Sequence, residues 1–218
     1  MITFKDIKDN ETIKSYIIHA DKMLSELGYT EHSLAHVTKV ADVAKYILET
    51  LNYSDQEIEL AQIACYMHDI GNIVNREGHA QSGAMMAFRI LDQLGATPEE
   101  IAMVMAAIGN HDENTAVPVS AIAAALILAD KTDVRRSRVR NPDLPSFDIH
   151  DRVNYAVEES KVQIINNEIF RLELIIDTTI SPVLDYFEIF LDRMLLCKRA
   201  ANKLKMEFEL IINNQKVL

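Results

Sequence analysis

The 218-residue chain contains 33 Asp and Glu against 22 Lys and Arg, which gives a formal net charge of −11. Apolar residues make up 49% of the chain and charged residues 25%, proportions that are usual for a globular protein. The acidic balance argues against sequence-independent nucleic-acid binding, which needs clustered cations, but it is compatible with a local basic pocket. We therefore expect a folded protein without a nucleic-acid partner.

The sequence shows no sign of export or of membrane insertion. The N-terminal segment is charged, and no apolar stretch reaches the roughly 18 residues that a transmembrane helix requires. Cys65 and Cys197 both lie in apolar helical patterns, so we interpret them as buried thiols in a reducing compartment. The prediction is a cytoplasmic protein with no membrane partner.

The first part of the chain predicts one helix after another. Asn10 is placed to cap a helix that runs as far as Gly28. Ser33 is placed to cap a second helix, in which apolar residues recur on one face from Val37 to Leu51. Both helices have the length and periodicity of elements that pack one face against a core.

Four further helices are predicted before residue 135. Ser54 and Glu57 form a capping-box pattern at the start of the third helix. An apolar periodic run covers residues 79–94, and Thr97, followed by a proline at the first helical position, begins the next helix. Ser120 opens the last of these runs, which is almost entirely apolar.

The composition changes after this helical part. Residues 134–150 contain four arginines and two prolines, Pro142 and Pro145, and predict a loop or linker. Apolar strand-like runs at residues 162–165 and 169–176 flank two asparagines, which predicts a β-hairpin because Asn tolerates positive φ. An amphipathic helix follows from Ser181 to about Met206.

A final strand is predicted at residues 207–212. The expected fold class is therefore mainly α: an all-helical bundle over about residues 1–135, followed by a small α+β module with the order β-β-α-β. We place the domains at residues 1–140 and 150–218. The C-terminal module is a candidate unit for dimerisation or ligand sensing, so a homodimer stays open.

An adjacent histidine and aspartate, His68 and Asp69, interrupt an apolar run that begins at Ile63. Both side chains are good ligands for divalent metals, but neighbours on a helix diverge by about 100°. Both can therefore serve one metal only where the helix ends and faces a cavity. Gly71 follows at once, and glycine commonly ends helices. The sequence thus predicts a metal-binding helix end.

Four more candidate ligands interrupt the predicted apolar helices: His36, His79, His111 and Asp130. Asp130 ends one of the most apolar runs of the chain, where a carboxylate is costly unless it is paired or bound to metal. With the adjacent pair, the set contains four imidazoles and two carboxylates, which suit Fe, Mn, Zn, Co or Ni. One tetrahedral site needs fewer ligands, whereas two metals that share a carboxylate would use them all.

The other histidines are weaker candidates. His32 lies one turn before His36 and is an alternative ligand, although the apolar positions that follow His36 place it on an inward face. We interpret His19 and His150 as ordinary packed or solvated side chains.

The order His, His-Asp, His, His, Asp resembles the HD-domain superfamily of metal-dependent phosphohydrolases in its two-metal form. The resemblance covers about residues 30–135. It rests on five local matches: residues 36–41 (HVTKVA), 67–71 (MHDIG), 79–84 (HAQSGA), 107–111 (AIGNH) and 128–130 (LAD).

The resemblance implies a binuclear centre with two divalent transition-metal ions, Fe or Mn ahead of Zn, Co and Ni. The implied ligands fall into two sets that share Asp69: His36, His68, Asp69 and Asp130 for one ion, and Asp69, His79 and His111 for the other. A hydroxide that bridges the ions would attack a phosphate ester or anhydride of a nucleotide or another small phosphorylated molecule. Asp69, as the bridging residue, is the predicted catalytic residue.

The chain departs from the family pattern in two places. Asn72 stands where many members carry Lys or His, and a neutral amide cannot lend positive charge to a substrate. His111 is followed by Asp112 rather than a second histidine, and no Gly-Tyr-Pro signature occurs, which argues against cyclic dinucleotides as substrates. Asp112 is interpreted either as a partner that orients a metal ligand or as a solvated acid.

Cations follow Asp130 closely. Lys131 and Arg135 are the nearest, and we predict that they bind substrate phosphate, because Arg and Lys are the usual phosphate-binding side chains. The alternative is a solvated loop that balances the acidic body or docks the C-terminal module. Asp133 is a candidate ion-pair partner for this cluster.

Three functions are compatible with the ligand set. Hydrolysis of a small phosphorylated molecule is preferred, and the spacing of the extra histidines also resembles bacterial HD enzymes that cleave diadenosine tetraphosphate, which makes a nucleotide polyphosphate one candidate. Some HD proteins with the same ligands are di-iron oxygenases that cleave C–C or C–P bonds. A metal-bound sensor without catalytic activity is the third alternative.

Overall fold

The computed structural model describes residues 2–113, 115–141 and 148–218. Pro142 and Pro145 of the predicted linker lie outside the described residues. Within the described ranges, none of the helices combines the length and the apolar character that a bilayer crossing demands.

The first part of the described chain is helical, as predicted. Its α-helices are α1 (Phe4–Asp9), α2 (Glu11–Glu26), α3 (Leu34–Thr50), α4 (Asp55–Met67), α5 (His79–Gln93), α6 (Pro98–Gly109) and α7 (Ala121–Lys131). Short 3₁₀ turns lie at Ile70–Ile73 and Arg136–Arg138. The predicted N-caps are confirmed, because each accepts a hydrogen bond from a backbone N–H of its helix: Asn10, Ser33, Ser54, Thr97 and Ser120.

Helix α7 is the centre of the bundle. It contacts α3, α4 and α6, and it also contacts a long helix of the C-terminal part. Every residue from Ile122 to Lys131 is buried. A helix that is apolar on all sides is stable only when other elements surround it. The C-terminal end of α7 therefore places Asp130 inside the protein.

The C-terminal part is an α+β module with one more strand than predicted. It contains α8 (Ile149–Ala156), β1 (Val157–Ile165), β2 (Ile169–Ile176), α9 (Val183–Lys203), β3 (Glu207–Ile212) and β4 (Gln215–Lys216). The strands form one sheet in the order β1-β2-β3-β4, with β2 and β3 parallel and the outer pairs antiparallel. The parallel pair requires a crossover, which α9 supplies.

Local signals account for the sheet. Side chains of β2 alternate between half-buried and buried positions, as expected for a strand with one face on the core. Asn166 and Asn167 have φ values of 53° and 59°, the conformation that a tight hairpin turn between β1 and β2 requires. The predicted hairpin is confirmed.

Several predicted boundaries are wrong. Strand β1 begins at Val157 rather than at residue 162, and α9 ends at Lys203 rather than near Met206. Helices α1 and α8 were not predicted, and α8 begins at Ile149, inside the predicted loop. Both helices are short, with six and eight residues, whereas apolar periodicity identifies a helix over a window of about 11–18 residues.

Helix α9 joins the two parts of the protein. It contacts α7 on the helical side and β3 on the sheet side, and the buried apolar side chains form one cluster from Ile2 to Ile212. Ser160 on β1 also donates a hydrogen bond of 3.0 Å to the carbonyl of Thr132. The division into domains at residues 140 and 150 stays a prediction.

The hairpin turn generates a test. Replacement of Asn167 by Val should lower the free energy of unfolding by about 1–2 kcal/mol, because a β-branched residue is strained at positive φ. Asn167→Gly removes the side chain without that strain and should leave stability nearly unchanged. Urea unfolding followed by circular dichroism measures both, and equal stability of the two variants would contradict the turn.

Candidate metal centre

His68 and Asp69 lie where helix α4 ends, as predicted. The helix stops at Met67, and the chain continues into the 3₁₀ turn Ile70–Ile73. This change of direction brings the two side chains together, with His68 Nε2 3.1 Å from Asp69 Oδ2. The two neighbours therefore face the same site in spite of their divergence on a regular helix.

Gly71 is required here for a reason other than the one that the sequence suggested. It is not among the glycines with positive φ. A Cβ at this position would lie 2.0 Å from the carbonyl oxygen of His79 and 2.5 Å from the backbone nitrogen of Gly83. The glycine thus lets the first turn of α5 pack against the turn after Asp69. That approach brings His79 to the centre.

The other candidate ligands converge on the same point from four more segments. His36 lies on α3, His79 begins α5, His111 follows α6, and Asp130 is on the last turn of α7. His36 Nε2 is 3.4 Å from Asp130 Oδ1 and 3.9 Å from Asp69 Oδ2. His68 Nε2 is 3.7 Å from Asp130 Oδ1. These four residues form one half of the centre.

His79 and His111 form the other half. Their Nε2 atoms are 3.2 Å apart, and His79 Nε2 is 3.7 Å from Asp69 Oδ1. Asp69 therefore turns one oxygen toward His36 and His68 and the other toward His79. The structure brings all six predicted ligands together, and each is at most 9% exposed.

Each imidazole is held by its Nδ1 atom, so that Nε2 points into the centre. The Nδ1 partners lie 2.6–2.9 Å away: Asp133 Oδ2 for His36, and the carbonyl oxygens of Cys65, Arg76 and Ile108 for His68, His79 and His111. A donated Nδ1–H fixes the tautomer and leaves the Nε2 lone pair free for a ligand.

The residues present fit divalent transition metals. Within the part of the chain that the structure describes, the buried atoms His36 Nε2, His68 Nε2 and Asp69 Oδ2 lack a hydrogen-bond partner. Such atoms are costly, and a borderline metal ion binds nitrogen and oxygen ligands of this kind. Two groups of three have ligand atoms within 4.8 Å of one another: His36, His68 and Asp130, and His68, Asp69 and His111.

Residues 33–135 match the family described as HD domain. The chain contains an HD domain. The six converging side chains all lie inside this matched range, which is slightly less than half of the chain.

Known proteins that are similar to this chain include one curated protein and one solved structure. The chain is 24% identical over 196 residues to an uncharacterized protein of Methanocaldococcus jannaschii, a similarity that covers 79% of this chain and 75% of that protein. A crystal structure described as a "predicted HD superfamily hydrolase" from an uncultured Thermotogales bacterium has a TM-score of 0.46 and 24% identity, and it covers 57% of this chain and 67% of that one.

The electrostatics of the HD centre favour a bound cation. Burial alone would lower the pKa of His68, but the carboxylates of Asp69 and Asp130 raise it to about 10. Burial would raise the pKa of both carboxyl groups, yet the neighbouring cations hold it well below the usual range. Burial lowers the pKa of His111, which keeps that ring neutral. The site thus holds two anions, whose charge a divalent ion can balance in place of the proton on His68.

Asp133 is a positioning residue whose role the sequence did not reveal. Its Oδ2 accepts the Nδ1–H of His36 at 2.8 Å, and its Oδ1 lies 2.8 Å from Lys39 Nζ and 2.9 Å from Arg135 Nε. The predicted pairing with the cationic cluster is therefore present, but Asp133 also orients the ring of His36. The sequence signal that could have indicated this role is the position of Asp133 one turn after Asp130.

Asn72 explains one departure from the family pattern. Its amide nitrogen donates hydrogen bonds of 2.9 Å to both the carbonyl oxygen and Oδ1 of Asp69. Its amide oxygen accepts a hydrogen bond of 3.3 Å from Arg76. A neutral amide at this position orients the shared carboxylate.

A cavity of about 470 Å³ opens above the HD centre. Lys131 lines it, with Nζ 2.7 Å from Asp130 Oδ2. Arg135 does not line it, because its guanidinium pairs with Asp133 and Glu31 and borders a separate surface groove. The structure therefore places only one of the two predicted phosphate-binding residues at the site.

The cavity wall also contains side chains other than the preferred site residues. They include three cations from distant segments: Arg76, Arg138 and Arg193. His32 lies at the wall with its Nδ1 2.6 Å from the carbonyl of Thr30, outside the group of converging Nε2 atoms. Asp112 and His150 also line the cavity. Arg76 and Arg193 could not be identified from the pattern of any one segment, because separate elements bring them to the cavity.

The geometry of the centre predicts which variants lose bound metal. Asp69→Ala should reduce bound transition metal at least tenfold, because this carboxylate faces both halves of the centre. His19→Ala, on the exposed side of α2, is the matched control and should retain wild-type metal. Elemental analysis of protein purified without chelators measures both, and wild-type metal in the Asp69 variant would contradict the site.

The contact at Gly71 makes a second prediction. Gly71→Ala should lower the free energy of unfolding by about 1–3 kcal/mol, because the added methyl overlaps the backbone of α5. Gly109→Ala is the control, since its new Cβ would meet nothing closer than 3.8 Å. Thermal and urea unfolding of both variants provide the comparison. Equal stability would show that α5 does not need this close approach.

Proposed function

We propose that this HD-domain protein is a metal-dependent phosphohydrolase that cleaves a phosphate ester or anhydride of a small phosphorylated molecule, with nucleotides as the first candidates. The observation that carries the proposal is the position of the carboxylate–imidazole centre at a cavity whose wall includes four cationic side chains, Arg76, Lys131, Arg138 and Arg193, beside carboxylates such as Asp112 and Asp148. Candidate metal ligands and candidate phosphate-binding cations thus share one cavity.

Some residues of the chain would hold the metal ions, and others orient those ligands. His36, His68, Asp69, His79, His111 and Asp130 would hold two divalent ions, with Asp69 shared between them. Bound ions of this kind lower the pKa of a coordinated water and offset negative charge on a phosphoryl oxygen. Asn72 fixes the orientation of Asp69, and Asp133 fixes that of His36. The protein would thereby keep the ligand atoms in place without rearrangement during reaction.

Lys131 supplies a fixed positive charge beside the centre. Its side chain is only 7% exposed, and Nζ lies 2.7 Å from Asp130 Oδ2 and 3.7 Å from Glu113 Oε1. Burial opposes the charge, but these two carboxylates raise the pKa of the ammonium group above its usual value. The ammonium stays protonated and can stabilise the charge that develops on a transferred phosphoryl group.

The size of the cavity supports a small substrate. About 470 Å³ falls within the range of roughly 300–1,000 Å³ that is typical of small-molecule sites. The walls also contain aromatic and amide groups, such as Tyr29, Phe190 and Asn154, beyond the cations. This mixture of groups suits a molecule that carries both a phosphate group and an organic moiety.

The proposal is tested with purified full-length protein loaded with Mn or Fe. We expect phosphate release from at least one member of a broad panel of phosphoesters and nucleotides, loss of that activity on metal removal by chelator, and recovery on metal return. The His19→Ala variant should match the wild type. No turnover by fully metallated protein across the panel would refute phosphohydrolase activity, and oxygen uptake with polyols or phosphonates would instead support a di-iron oxygenase.

A pair of variants distinguishes the two cations predicted from sequence. Lys131→Met should reduce kcat/KM about 10²–10³-fold, because a buried positive charge next to the reacting group is lost. Arg135→Gln should change it less than fivefold, because Arg135 faces away from the cavity. Steady-state kinetics on the best panel substrate compare them. A larger effect at Arg135 than at Lys131 would contradict this arrangement.

A further inference from the structure

The wall of the cavity is not made by the HD domain alone. Helix α9 contributes Ile189, Phe190 and Arg193, and the segment around α8 contributes polar groups that include His150 and Asn154. The C-terminal module thus faces the metal centre across the space in which a substrate would lie. A side chain of this module can contact a substrate only if it is oriented into that space.

Arg193 is one of the side chains that line this space. Its Nε donates a hydrogen bond of 2.7 Å to Glu113 Oε1, and its guanidinium carbon lies 4.2 Å from the centre of the Phe190 ring. These two contacts fix the plane of the guanidinium. Among the residues that the structure describes, neither Nη atom of Arg193 has a hydrogen-bond partner, and the side chain is 22% exposed at the cavity wall.

Glu113 connects Arg193 to the metal centre. The same oxygen that binds Arg193 lies 3.7 Å from Lys131 Nζ, and Lys131 lies 2.7 Å from Asp130. Charges therefore alternate along Asp130, Lys131, Glu113 and Arg193. Glu113 can neutralise only one of the two cations that it contacts, so Lys131, Glu113 and Arg193 together keep one positive charge when Asp130 serves a metal ion.

We propose that Arg193 is a substrate-binding residue that holds the substrate's phosphate through its two Nη groups, so that the C-terminal module completes the active site of the HD domain. A guanidinium with both Nη groups available binds two phosphate oxygens at once, which an ammonium group cannot do. The inference rests on the proposed phosphohydrolase function and assigns the C-terminal module a direct part in substrate recognition.

A structural role is the competing explanation, since an ion pair between Arg193 and Glu113 also links α9 to the loop after α6. Arg152 provides a matched control. It makes the same kind of contact within the C-terminal module, with Nη2 3.0 Å from Asp185 Oδ2, but it does not line the cavity. Loss of either arginine removes one positive charge and one ion pair, whereas only Arg193 can affect phosphate binding directly.

The experiment measures binding of inorganic phosphate to the full-length, metal-loaded protein by isothermal titration calorimetry. Arg193→Gln should weaken binding about 10- to 50-fold, and Arg152→Gln less than twofold, with metal content unchanged in both. Arg193→Lys, which keeps the charge, should still weaken binding several-fold. It remains decisive if Arg193→Gln fails to fold. Wild-type phosphate affinity in either Arg193 variant overturns the proposal, as does the absence of phosphate binding by the wild-type protein.

Kinetics separate this inference from the proposed function. If the protein hydrolyses a phosphoester, Arg193→Gln should raise KM at least tenfold, and Arg152→Gln should not. Hydrolysis with an unchanged KM and unchanged phosphate affinity in Arg193→Gln would refute the role of Arg193 and leave phosphohydrolase activity standing. Phosphate binding that depends on Arg193 in a protein without turnover on any phosphorylated substrate would refute the function and support the assignment of Arg193.

Discussion

The burial of two carboxylates among apolar helices is the constraint on which the rest of the structure depends. Asp69 and Asp130 lie where α4 and α7 end, at most 9% exposed, and an ionised acid in such surroundings is stable only when cations and hydrogen bonds compensate it. The four imidazoles and Lys131 lie beside these carboxylates and compensate their charge, and a bound divalent metal ion would do the same. The apolar bundle supplies the rigidity, and the acids supply the charge that makes the centre a metal site.

Helix ends perform the positioning. His68 and His111 donate their Nδ1–H groups to the carbonyls of Cys65 and Ile108, which belong to the last turns of α4 and α6. Carbonyls at a helix C-terminus lack a partner within their own helix, so each interaction satisfies a backbone group and orients a ring at the same time. Gly71 serves the same geometry, because only a residue without Cβ allows α5 to approach the end of α4.

The C-terminal module is integral to the site as well as to the core. Helix α9 packs on α7 and on β3, and it also presents Arg193 to the cavity above the metal centre. A crossover helix that joins two parallel strands is therefore also a wall of the proposed substrate pocket. This arrangement gives a physical reason for the module to accompany the HD domain: the domain alone would leave one side of the pocket open to solvent.

The sequence by itself determined the order of helices α2–α7, the hairpin and the six converging residues. Caps, periodicity, the Asn-Asn turn and the HD resemblance are all patterns within short segments of the chain. It did not reveal α1 or α8, because six and eight residues are too few for a periodic pattern to identify a helix. Only the tertiary structure decided that Asp133 orients His36 across 97 residues, that Arg135 faces away, and that Arg193 meets Glu113 across 80 residues. Such contacts depend on how separate elements pack, and no local pattern encodes the direction in which a long side chain will point.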